Sequence, residues 1–126
     1  MAGTAEFKEK VADKIVGLFK ISKRETKTFK YTGVDVCQEE NGDIVIRQTQ
    51  YKDSLEEIPV HEDENLSRPL SKEEFKSFRG AIGKITWLSE MTRPDLQYDC
   101  LEMSCRSKDA KVEDIVKINR LIRRAK

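Results

Sequence analysis

Apolar residues recur along this chain with two different periods, and the change from one to the other divides it. Over residues 5–20, Phe7, Val11, Ile15, Leu18 and Phe19 follow the 3.6-residue repeat of a helix with one buried stripe, and Thr4 stands where an N-cap belongs. Phe29-Lys-Tyr-Thr-Gly-Val-Asp-Val36 is rich instead in aromatic and β-branched residues. Asn41-Gly42 marks a tight turn, and Ile44-Val-Ile-Arg47 completes a hairpin. Gly33, inside the first strand, implies a bulge or a close backbone approach. Gln48 to Ile58 reads as a short helix with Tyr51, Leu55 and Ile58 on one side.

Pro59 to Pro69 is acidic and loses all periodicity, which makes it the best linker in the chain. Helical spacing then resumes. Ser71-Lys-Glu-Glu74 is a capping box, and Phe75, Phe78, Ile82, Ile85 and Leu88 or Ser89 form the inner face of the long helix that follows. Gly80, Gly83, Lys84 and Trp87 lie off that stripe. A third helix is expected from about Pro94, with Leu96, Cys100, Leu101 and Met103. A fourth is expected from about Asp109, with Val112, Ile115, Val116, Asn119 and Ile122 on one face. The pattern predicts an α+β protein: an N-terminal helix and β-hairpin over residues 1–58, an acidic linker over 59–70 and a three-helix lobe over 71–126.

Composition narrows the classes of function. Hydrophobic and charged residues each make up 37% of the 126, so the core is thin but the periodicity argues for order. No stretch is apolar for the length a membrane helix needs, and no secretory signal is visible. Cys37, Cys100 and Cys105 lack metal-ligand spacing, and His61 is the only histidine, so a zinc site is not expected. Reduced thiols imply an intracellular protein, cytoplasmic or nuclear. The formal net charge of +1 conceals an acidic stretch at Glu56–Glu64 and a tail with Lys117, Arg120, Arg123, Arg124 and Lys126 but no acid.

The most informative segment runs from Phe78 to Asp95. Two glycines three residues apart inside a helix are each unfavourable by about 1 kcal/mol relative to alanine, which implies that something approaches the backbone there. Phe78, Arg79, Gly83, Trp87, Leu88 and Thr92-Arg93-Pro94-Asp95 together resemble the thumb of copia-type retrotransposon reverse transcriptases, and their spacing matches over the whole segment. The strand at Phe29–Val36 resembles the hairpin that positions the primer 3′ end in related polymerases. The resemblance extends from about residue 6 to residue 124. It covers only the last part of a palm, followed by a thumb.

That resemblance implies an RNA-directed DNA polymerase segment that positions a template–primer duplex. The family's Tyr-x-Asp-Asp hairpin, which would hold magnesium, does not occur here, and the chain begins where that hairpin would end. No catalytic residue, metal ligand or cofactor is therefore expected within it. Lys30, Tyr31 and Gly33 would lie against a primer backbone. Gly80, Gly83, Lys84 and Trp87 would meet the minor groove; the alternative is tight helix packing at the glycines with Trp87 in the core. Lys117, Arg120, Arg123 and Arg124 would add phosphate contacts, or form a solvated face suited to a helix C-terminus. Expected partners are an RNA–DNA or DNA duplex, bound weakly and without sequence preference, and the remainder of a polymerase polyprotein. The alternative is a small co-opted transposon-derived module that docks a protein partner. No membrane partner is expected.

Overall fold

The computed structural model describes residues 4–21, 23, 25–61 and 63–126. Helix α1 (Ala5–Leu18) starts at Thr4, whose hydroxyl accepts from the Phe7 amide at 3.4 Å. Its apolar stripe forms as expected, yet it buries no residue: Phe7 is 55% exposed and Leu18 78%. Amphipathic spacing dictates a helix, but it does not supply the surface that would cover one face.

Strands β1 (Thr28–Tyr31), β2 (Val34–Gln38) and β3 (Ile44–Arg47) form an antiparallel sheet in that order. The expected first strand is two strands, and Gly33 is neither a bulge nor an interior strand residue. Thr32 and Gly33 take φ of 47° and 82° between the paired residues Tyr31 and Val34. Positive φ at both central residues is the two-residue turn whose twist matches a hairpin. In the second turn the Asn41 side chain accepts from the Asp43 amide at 3.0 Å, while Gly42 takes φ of 92°. Register places Phe29, Val36 and Ile46 abreast. Ile46 and Ile44 nonetheless remain exposed on this apolar face.

Helix α2 (Thr49–Asp53) ends well before Ile58. Beyond it Leu55 is buried in the helical core, and Ile58 and Val60 pack against that core without regular structure. Residues 66–70 are stitched to residues 110–113 by Leu70 N–H to Ala110 C=O, Val112 N–H to Arg68 C=O and Glu113 N–H to Leu66 C=O.

Helices α3 (Lys72–Met91), α4 (Gln97–Arg106) and α5 (Val112–Ala125) enclose the core, with one 3₁₀ turn at Pro94–Leu96 leading into α4. Phe78, Ile82, Ile85 and Leu88 of α3 meet Cys100 and Met103 of α4 and Ile115, Ile118 and Ile122 of α5. The Ser71–Glu74 capping box is present in both directions, at 3.2 and 2.7 Å. Of the apolar residues on α4, Cys100 and Met103 are buried and Leu101 is 62% exposed. On α5, Ile118 and Leu121 are buried in addition to the expected stripe.

Candidate nucleic-acid interface

Helix α3 carries the glycine face on its outer side. Gly80 and Gly83 are exposed, and a methyl group built on either would meet nothing within 4 Å. Tight helix packing therefore does not account for either glycine. Lys84 is exposed beside them, and Trp87 is half-buried rather than central in the core. Successive offsets of three and four residues keep all four on one arc of the helix. Tyr51 of α2 fixes the local position of this arc by donating its hydroxyl to the Lys84 carbonyl at 3.2 Å. Burial raises the Tyr51 phenol above its ordinary pKa, so it remains a donor.

Beside Gly80 and Lys84 runs a groove of about 320 Å³ whose other wall includes Glu56 and Glu57. The glycine face is thus cationic at Lys84 and acidic across the groove. Glu57 is engaged by the Arg123 guanidinium, which offsets part of that negative charge.

The basic tail divides into two kinds of residue. Lys117 lies 3.3 Å from Asp114, a carboxylate that is 3% exposed and also accepts from the Lys111 amide at 3.0 Å. Arg123 pairs with Glu57, and Arg124 bridges to Asp99 at 2.7 Å while donating to the Asp95 carbonyl at 2.9 Å. Among the described residues, Arg120 and Lys126 have no such partner. Three of the expected phosphate-binding cations therefore hold the fold, whereas Arg120 projects into solvent.

The Thr92-Arg93-Pro94-Asp95 segment has a clear structural role. Arg93 forms a two-pronged pair with Asp95, both contacts at 2.9 Å. The same guanidinium donates to the carbonyls of Ala125 at 3.0 Å and Arg124 at 3.1 Å. It thereby satisfies acceptors that the end of α5 would otherwise leave open. The carboxylate contacted, Asp95, lies only two residues away in the same turn. This pairing raises the Arg93 pKa and lowers that of Asp95, each chiefly through the shared hydrogen bonds.

On the sheet, Tyr31 is 67% exposed. Lys30 is tied to Gln50 at 2.7 Å and to Asp35 at 3.7 Å. Gly33 sits at the tip of its turn with open space around it. The hairpin tip and the α3 arc thus each present a glycine, an exposed ring or half-buried indole, and a lysine.

Among the described residues no group of three or more His, Cys, Asp or Glu is placed to hold a metal ion. Asp35 pairs with Lys30 at 3.7 Å, and Asp43 accepts from the Asn41 side-chain amide at 2.7 Å. Cys37 is half-buried, Cys100 buried and Cys105 exposed, all as free thiols. Burial pushes the Cys100 thiol up. No helix among the described residues is long and apolar enough to cross a membrane. Comparison with protein-family models, curated proteins and solved structures gives no match for this chain.

Two residues of structural consequence carried weak signals or none in the sequence. Asn119 interrupts an apolar stripe, a recognisable hint of a buried polar contact, but its partner lies 61 residues away. Gln48 offered no hint; it is 4% exposed and accepts from the Thr92 hydroxyl at 2.9 Å.

Proposed function

We propose that the chain is a duplex-positioning segment of a copia-type reverse transcriptase, a palm end followed by a thumb. The observation that carries this reading is the pair of exposed glycines on α3, which no part of the described chain uses. Two helix-interior glycines with open space above them disfavour the helix and leave room for a flat polymer to approach. Lys84 and Arg120 supply uncommitted positive charge for phosphate contact. The contribution is positional: sugar and phosphate contacts hold a primer end, and bond-forming chemistry belongs to residues outside this sequence.

The test is a titration of an RNA–DNA duplex at low and moderate salt with the wild-type chain and a Lys84→Glu/Arg120→Glu variant. Weak binding that declines steeply with salt and falls further in the variant supports the reading. Absence of binding at low salt, or binding indifferent to both reversals, rejects it.

A specific observation favours the second reading, a protein-docking module. Helix α1 leaves Phe7, Val16 and Leu18 exposed, as is Phe19 just beyond it, and the sheet leaves Ile44 and Ile46 uncovered. Apolar surfaces of this kind are suited to burial against another polypeptide. A nuclease-insensitive, stoichiometric complex with one protein would distinguish this reading from the first.

A further inference from the structure

Between the end of the sheet and the end of α3 lies a cleft of about 240 Å³. Arg47, Lys52 and Arg93 line it, and among the described residues no carboxylate does. Arg93 is fully engaged by Asp95 and the last carbonyls of α5, so it forms a fixed wall. Arg47 and Lys52 are held only loosely, their nearest carboxylates being Glu39 at 3.8 Å and Asp53 at 4.0 Å. Both lie near the outer limit of a direct contact.

Gln48 lines the same cleft, 4% exposed, with its Oε1 occupied by the Thr92 hydroxyl. Its Nε2 has no hydrogen-bond partner among the described residues. Turning the amide over would pair Nε2 with the Thr92 hydroxyl but leave Oε1 without a donor, so in either orientation one polar atom of this buried amide is unsatisfied. A buried amide donor without an acceptor is unfavourable and calls for an explanation. The residue that carries it lines a cleft with Arg47, Lys52 and Arg93.

We propose that this cleft binds a phosphate oxyanion, with Gln48 donating from the floor and Arg47 and Lys52 closing over it. A tetrahedral oxyanion presents enough acceptors for an amide and two cations at once, and charge-assisted bonds favour it over a neutral ligand. Nε2 is shielded by its surroundings, so its terminal amide turns to meet the ligand, a soft torsion in glutamine. The inference rests on the cleft alone and does not require the α3 glycine face to bind a duplex.

The experiment follows the Gln48 side-chain amide resonances of the ¹⁵N-labelled full chain while inorganic phosphate replaces chloride at constant ionic strength. A saturable shift is expected, with binding about tenfold weaker in Arg47→Ala/Lys52→Ala. The charge-conserving Arg47→Lys/Lys52→Arg variant should restore it, which separates loss of charge from loss of fold. Gln48 signals unmoved by phosphate, or moved equally in the alanine variant, overturn the proposal. In a second arm, short single strands with and without a 5′-phosphate identify the source. Response to the phosphorylated strand alone indicates a terminal phosphate, and response to both a backbone phosphate. Backbone signals of Gly80 and Gly83, read in the same spectra with a duplex, report on the other surface separately.

Discussion

Asn119 pairs both backbone polar groups of Ile58. Its side-chain oxygen accepts from the Ile58 amide at 2.9 Å, and its nitrogen donates to the Ile58 carbonyl at 2.7 Å. This single contact fastens the irregular stretch after α2 to the middle of α5. Regular structure elsewhere pairs its own backbone groups; residues 55–60 have no helix or strand to do so.

Replacing Asn119 with alanine should therefore destabilise the protein by about 2 kcal/mol, since two backbone groups lose their partner in a partly buried setting. Urea denaturation followed by circular dichroism measures this. A loss indistinguishable from that of an exposed control such as Lys126→Ala would contradict the role assigned to the clamp.

Gly80→Ala and Gly83→Ala should each stabilise the chain, by about 0.5–1 kcal/mol, because neither position has a positive φ and both face open space. If the α3 arc meets a duplex, the same substitutions should weaken RNA–DNA binding. Thermal melts and a binding titration on the same samples read the two effects. A rise in stability without loss of binding would place the duplex elsewhere.

Glu74 should give the protein an acid-sensitive component. Its carboxyl is held down at about 2, first by the Arg68 guanidinium and then by the Ser71 amide. A carboxylate whose folded pKa lies below its unfolded one stabilises above the unfolded value, and that stabilisation fades as pH falls toward the folded value. Glu74→Gln should accordingly be less stable at neutral pH. It should also lose less stability than wild type between about pH 4.5 and pH 2. Equal slopes for the two proteins over that range would show that the Arg68–Glu74 pair contributes nothing.

Helix α1 should open far more readily than the core helices, because it buries none of its residues. Native-state hydrogen exchange ought to find its amides nearly unprotected, whereas those of Ile85 and Ile118 exchange slowly. Comparable protection in α1 would mean that its stripe is covered after all.

What was legible in the sequence follows from how local each determinant is. The helices, the Ser71–Glu74 cap, the Asn41-Gly42 turn and most core positions could be read because they depend on neighbours within a few residues. The break at Thr32-Gly33 was misread for a definite reason: one glycine in a β-branched run fits a bulge as well as a turn, and the pairing of Tyr31 with Val34 decides between them. The presence of the basic tail was evident, but the commitments of Lys117, Arg123 and Arg124 were not. Lys117 pairs with Asp114 one turn away on the same helix, but the partners of Arg123 and Arg124, Glu57 and Asp99, lie on other elements, and only folding brings those charges within reach. Gln48 and Thr92, 44 residues apart, illustrate the same limit. Sequence alone determined which segments curl or extend and which face of each is apolar. Tertiary structure decided which apolar faces are covered, which cations are already engaged and where a buried donor is left without an acceptor, because burial and charge pairing depend on distance in space.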